Sequence, residues 1–265
     1  MHIEFYKNPT WLHYVNPTLK FILFVFLFIF FLFIHHLHFL IYFTVLLTLI
    51  YYIQLGYPIK LLFLLSLPMV IIFFTSFVSM ALFGKGETTL FQFAFVHITE
   101  EGLYRGIHLG FRSVIFGLLG MIFALTTKPV YFFYSLMQQL SLPPKIAYSF
   151  MAAIRLLPNI IQEFLSLRKA LKVRGVIFKR SIPGFYQQIK HYAIPILALS
   201  IRRAYHISVA MEAKHFTNNR NRTYYYILKY SKRDVYFVFL TIVLLFAAYI
   251  LQRFYPFLPI DRIVA

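Results

Sequence analysis

Two stretches of this chain place a cation where a helix should stop: Ala170-Leu-Lys-Val-Arg174-Gly175 and Ala210-Met-Glu-Ala-Lys214-His215. Glycine suits the left-handed position that closes a helix. Arg174 is therefore expected at the negative end of the helix dipole with its guanidinium directed outward. A planar fork of donors at such a tip suits a carboxylate on a partner. An isolated Arg-Gly pair reads first as a plain helix cap, and repetition on two successive helices shifts the balance towards docking.

Other chemistry has little to draw on. There are no cysteines, which excludes disulfides, thiolate metal sites and cysteine nucleophiles. Only 8 of the 265 residues are Asp or Glu, and no HExxH, GxSxG or Walker A sequence occurs. No catalytic residue, cofactor or metal site is predicted. The one dense imidazole group, His35-His36-Leu37-His38, has no carboxylate nearby to complete a metal site. It reads instead as a tight hairpin at a headgroup surface.

The elements that must position the two endings follow from charge and hydropathy. With 60% hydrophobic content and 33 Phe, the chain is too apolar for an ordinary soluble domain. Spans are expected at about 19–34, 38–54, 61–83 and 103–125, forming an N-terminal membrane domain at 1–127. No small-residue cleavage site follows the first apolar run, so the first span is expected to stay. Gly102, Gly106 and Gly110, spaced by four, either allow close helix approach in lipid or merely loosen a helix end. Arg112 is expected to pair with Glu100, Glu101 or backbone carbonyls.

Between Lys128 and Arg233 lie 18 of the 26 Lys and Arg but only 2 acids, Glu163 and Glu212, a net charge of +16. No stretch of about 20 apolar residues is seen there, so this segment, 128–231, is expected to form a cytoplasmic domain rather than to span. Three amphipathic helices are predicted in it, at about 128–141, 143–175 and 184–216, inserted before a last span and short external tail at 232–265. The fold class is thus an all-α membrane protein with about five transmembrane helices. Cations then mark the inner side, placing the N-terminus in the cytoplasm and the C-terminus outside, with Lys7, Lys20 and Lys60 inside and Glu87, Glu100, Glu101 and Asp261 outside. Charge of this kind in a lipid-embedded chain serves topology and anionic headgroups, and nucleic acid is not expected as a partner.

The ordered set of short motifs resembles a known family. Asn16-Pro-Thr-Leu-Lys20, Glu101-Gly102 through Arg112, Leu125-Thr-Thr-Lys-Pro129, Leu142-Pro-Pro144, Arg155-Leu-Leu-Pro158, Glu163 and the Arg174-Gly175 ending occur in order. Ser200-Ile-Arg202-Arg203-Ala204 and Ala210-Met-Glu212-Ala-Lys214-His215-Phe216 complete it. Together they are similar to the transmembrane T component (EcfT/CbiQ-like) of energy-coupling-factor (ECF) ABC transporters.

The resemblance implies a scaffold in a prokaryotic plasma membrane that is not itself an enzyme. Two cytoplasmic ABC ATPase subunits, or one used twice, hydrolyse ATP and receive the helix tips. A separate membrane S component captures a vitamin or metal ion. Carried over by position, Arg174 and Gly175 form the first docking tip and Lys214 and His215 the second. Arg155, Pro158, Glu163, Arg202, Arg203 and Glu212 support the geometry of the coupling domain. The second tip departs from the family's Ala-Arg-Gly pattern, replacing a planar fork by a point charge and a small residue by an imidazole, so the first tip is expected to bind more strongly. Two other classes stay open at this point. A lipid-acting membrane enzyme would need His35 to His38 at the interface, and a stand-alone secondary carrier predicts inverted repeats, which the sequence does not display.

Overall fold

The protein is described by a computed structural model covering residues 10–83, 89–93, 96–176, 181–216, 223–224 and 226–255. Lys7, Glu87 and Asp261, which entered the topology argument, lie outside the described residues. Among the described residues the chain forms eight α-helices: α1 Pro17–Phe33, α2 Leu37–Gln54, α3 Ile59–Phe83, α4 Glu100–Thr126, α5 Pro129–Gln139, α6 Pro144–Val173, α7 Ile182–Ala213 and α8 Lys232–Phe254. A 3-10 turn at Trp11–Tyr14 precedes α1. The helical fold carries one small addition, an antiparallel pair of strands β1 Thr89–Phe93 and β2 Val96–Thr99 in the α3–α4 connection. The chain divides into two compact units, Met1–Lys128 with Leu228–Ala265, and Pro129–Ile227.

In the first unit, α1 starts where its sequence dictates. Asn16 caps it by accepting from the Thr18 amide at 3.0 Å, and Pro17 occupies the first helical position, where a missing N–H costs nothing. The helix stops at Phe33, and Ile34 and His36 are extended. Arg112 of α4 donates to the Ile34 carbonyl at 2.7 Å, satisfying an orphan group at the helix end. A backbone carbonyl is thus a partner of this arginine. The imidazoles of the hairpin do not act as one group: His35 stacks on His108 of α4 at 6.4 Å, whereas His38, in the first turn of α2, is buried.

The core of this unit is built from Leu27 and Phe31 of α1, Leu40, Phe43, Leu47 and Tyr51 of α2, Ile115, Leu118 and Ile122 of α4, and Phe237 and Ala248 of α8. Helix α3 packs on α4 through the glycines. A Cβ on Gly106 would lie 2.9 Å from the Phe77 carbonyl oxygen, one on Gly110 2.8 Å from the Phe73 ring, and one on Gly117 3.2 Å from Met69. Close approach of the two backbones, rather than a loosened helix end, is what Gly106 and Gly110 provide. The opposite side of α3 shows Phe63, Leu64, Ile71 and Phe74 as exposed residues, as a lipid-facing surface would.

A buried polar node ties three helix ends in the same unit. The Lys20 Nζ donates to the Thr126 carbonyl at 3.2 Å and to its Oγ1 at 3.3 Å. Asp234 accepts from the Asn16 amide through Oδ1 and from the Ser231 amide through Oδ2, each at 2.7 Å. The latter bond is half of a capping box that starts α8.

In the second unit, α5 and α6 pack through Met137, Ala147 and Met151, with Phe133 stacked on Phe150 at 5.2 Å. Tyr226 lies against Tyr131 and Tyr134, and its carbonyl accepts from Gln138 at 2.6 Å. Helices α6 and α7 run in opposite senses. Tyr148 near the start of α6 meets Phe216 just past the end of α7 at 5.4 Å, and Phe164 further along α6 meets Tyr192 further back on α7 at 5.1 Å.

By length and composition, five helices are able to cross a membrane: α2, α3, α4, α6 and α8. Helices α2, α3, α4 and α8 coincide with four of the expected spans. Helix α1, the remaining expected span, is apolar and 17 residues long, about 25 Å at the helical rise and at the short end of the spanning range, and α6 joins these helices although its segment is expected in the cytoplasm. Residues 144–161 of α6 carry only Lys145 and Arg155 as charges, so this window is apolar enough on average to cross, although no unbroken run of about 20 apolar residues occurs in it. Charge counted over the whole interval dilutes this helix's first part, because three of its five cations, Arg168, Lys169 and Lys172, fall in its last third and Arg174 caps it.

Candidate functional site

The site is built from the C-terminal turns of α6 and α7. At the first, the Arg174 amide donates to Ala170, the Gly175 amide to Lys172 and the Val176 amide to Leu171, each at 3.1 Å. At the second, the Lys214 amide donates to Ala210 at 3.2 Å, His215 to Glu212 at 2.9 Å and Phe216 to Met211 at 2.9 Å. The two patterns are identical position by position and constitute Schellman closures. The caps have nearly the same backbone, φ −73° and ψ 1° at Arg174 against φ −90° and ψ 12° at Lys214.

The residue after each cap is left-handed, with φ 71° at Gly175 and φ 52° at His215. Glycine adopts this conformation without steric cost, whereas histidine does so against a Cβ clash with the following carbonyl. The second tip therefore reproduces the first although its sequence lacks the glycine. Arg174, Gly175, Lys214 and His215 are all exposed, so each tip presents a cation to solvent where the terminal carbonyls concentrate negative dipole. Because α6 and α7 run in opposite senses, the two cations stand at opposite ends of the pair.

Of the six supporting residues expected from the sequence, the structure joins two. Arg203 of α7 donates from its guanidinium to Oε1 of Glu163 on α6, a half-buried ion pair. Each member lies 11 residues before its own helix cap, about 16 Å along the axis. The pair fixes the helices to each other three turns from both tips. Glu163 Oε2 is buried with no hydrogen-bond partner among the described residues. Arg155 and Pro158 of α6 and Arg202 of α7 are exposed and stand outside this pair. Glu212 instead helps line an open groove of about 630 Å³ between the helices, with Lys145 and Tyr148 on α6 and Met211 and Phe216 on α7. Small residues, Ala152, Ala153, Ala204 and Ser208, line much of it.

Residues 8–225 match the CbiQ family, described as cobalt transport protein. The chain belongs to the CbiQ family. The match takes in both tips and ends before α8. Relatives of this CbiQ-family chain include the energy-coupling factor transporter transmembrane protein EcfT of Brevibacillus brevis, 27% identical over 244 residues that cover 87% of this chain and 90% of that protein. The EcfT of Bacillus subtilis is 28% identical over 182 residues, 66% of this chain and 68% of its own. With the EcfT of Lacticaseibacillus paracasei, 27% identical, the match covers 63% of this chain and 66% of the relative's length.

Sequence reasoning missed the polar node of this CbiQ-family chain. In the sequence Lys20 stands as a topology charge and as the end of the Asn16–Lys20 motif, with no partner assigned, and Asp234 receives no role. A signal was available: Ser231 followed three residues later by Asp234 is a capping-box spacing. Nothing in the local sequence announces that the same carboxylate also holds Asn16.

Proposed function

We propose that this chain is the T component of an ECF-type ABC importer, a non-enzymatic membrane scaffold whose partner subunits hydrolyse ATP. Two cytoplasmic ATPase subunits dock on the tips at Arg174-Gly175 and Lys214-His215. A separate S component in the membrane binds the nutrient, a vitamin or a metal ion. The observation that carries this reading is the identity of the two closures: two helices end in the same backbone geometry, each presenting an exposed cation. The names of the relatives, energy-coupling factor transporter transmembrane proteins, support it.

Division of labour between faces follows. Arg174 offers a bidentate fork to a carboxylate in an ATPase groove, and Lys214 offers a point charge, so the first contact is the stronger. Exposed apolar residues of the same helices, among them Leu157, Ile161 and Leu165 on α6 and Leu197 and Ile201 on α7, are free to contact lipid or the S component. The Glu163–Arg203 pair keeps the tips in register with those faces. In this reading α1 crosses the membrane and α6 does not, so the basic interval lies in the cytoplasm, with the N-terminus inside and the C-terminus outside.

The test is to purify the tagged full-length chain from its native membrane and identify what accompanies it. Two ATPase chains and a small membrane protein are expected, and ATP hydrolysis should follow the ATPases. Turnover of lipid by the isolated chain, with no ATPase attached, would defeat the proposal.

A further inference from the structure

We infer that the buried node of Asn16, Lys20, Thr126 and Asp234 is the mechanical root of the inserted second unit, a set of positioning residues through which its movement is taken up by the membrane helices. The inference rests on the coupling function just proposed.

The covalent path is the first argument. The chain leaves the first unit after Lys128 and returns to it at Leu228. Thr126 stands two residues before the exit, and Asp234 six residues after the return. Both crossings are thereby held close to their roots, one by Lys20 and the other by Asn16, and these two holders are a single helical turn apart at the start of α1. The cross-links span 106 and 218 residues of sequence.

Burial is the second argument. Relative exposure is 5% at Asn16, 0% at Lys20, 2% at Thr126 and 2% at Asp234. A lysine needed only to orient the chain in lipid would sit at the surface with its ammonium in water. Here an ammonium and a carboxylate are withdrawn from water within an otherwise apolar unit, an expensive arrangement that is tolerated where it fixes geometry. Starting the helices does not require it either. Asn16 caps α1 by its own side chain, and Asp234 closes its capping box through Ser231, so the bonds from the Asn16 amide to Asp234 and from Lys20 to Thr126 are additional. With both roots fixed to α1, a displacement of the second unit is passed to the whole helix bundle instead of being absorbed by slack where the chain crosses.

The experiment uses the complete transporter, purified with its ATPases and S component and reconstituted in vesicles. Lys20→Met, Asp234→Asn and Asp234→Glu are compared with the unmodified chain. The readouts are ATPase co-purification, ATP hydrolysis, and substrate taken up per ATP hydrolysed. Wild-type co-purification and hydrolysis are expected, with uptake per ATP lowered by about fivefold or more. Unchanged uptake per ATP in assembled variants would overturn the inference and leave the node a purely structural contact. If the two charge-removing variants fail to assemble, Asp234→Glu decides: it keeps the charge but displaces the carboxylate from the Asn16 amide by one methylene, and wild-type uptake per ATP in it overturns the inference. Failure of the proposed function itself would be visible separately, as an unmodified chain that retains no ATPase or supports no ATP-dependent uptake.

Discussion

Replacing His215 by glycine should tighten the end of α7, and replacing Gly175 by alanine should loosen the end of α6. Both residues sit at the left-handed position of the same closure, φ 52° and φ 71°. An L-residue with a Cβ costs about 1–2 kcal/mol in that conformation. Glycine lowers this cost but gives the open state more freedom, offsetting about 0.4–1 kcal/mol. The net difference is roughly 0.5–1 kcal/mol, equivalent to a roughly two- to fivefold change in how often the turn opens. A Cβ at Gly175 would meet nothing within 4 Å, so the Gly175→Ala effect is conformational rather than steric. The assay is hydrogen exchange at the amides that close each turn, Gly175 and Val176 on one helix and His215 and Phe216 on the other. His215→Gly should slow exchange of the Phe216 amide roughly two- to fivefold, and Gly175→Ala should speed that of Val176 by a similar factor. Faster exchange in His215→Gly would refute the reasoning, because the imidazole would then be holding the turn through contacts worth more than the strain.

Three other outcomes are expected. Glu163→Gln and Arg203→Gln, singly and together in a thermal-unfolding cycle of the purified chain, should give a coupling energy of about 0.5–1 kcal/mol, since the pair is partly open to solvent; zero coupling would remove the pair from the account of how α6 and α7 are held. Gly106→Ala should destabilise the first unit by about 1–3 kcal/mol, because the new methyl meets the Phe77 carbonyl at 2.9 Å, and a variant as stable as the parent would mean that α3 yields freely. His13, in the 3-10 turn, has its pKa held below the ordinary histidine value by burial and then by the charge of Lys20. The fold favours its neutral ring, so its contribution is complete above the ordinary value of about 6.5 and is lost as pH falls through the lower folded value; unfolding temperature should drop more steeply between pH 7 and pH 5 in the parent than in His13→Asn, and parallel slopes would count against it.

Much of the helical layout was legible because it rests on local rules. The apolar runs of α1 to α4 and α8, and the Arg174-Gly175 terminator, depend only on neighbours in sequence. Two features were less legible for a physical reason. The apolar character of the first part of α6 is diluted when charge is counted over 106 residues, because most of the helix's cations cluster near its end. The left-handed His215 contradicts local preference, and the closure is completed by Phe216 packing on Tyr148, a residue 68 positions away. Long-range bonds such as Asn16 to Asp234 have no periodic signature at all. The candidate tips were visible as residue types, while the equivalence of their backbones emerged only from hydrogen-bond geometry.

The most direct measurement compares Arg174→Glu with Lys214→Glu in the tagged full-length chain, reading the amount of ATPase that co-purifies from the native membrane. Both substitutions reverse an exposed cation at a helix cap without touching the backbone bonds that form the closure. Arg174→Glu should remove most of the bound ATPase, and Lys214→Glu should remove less, because a bidentate contact is lost in the first case and a point-charge contact in the second. ATPase retained at the parent level in both variants would contradict docking at the tips, and loss confined to Lys214→Glu would contradict the order assigned to them.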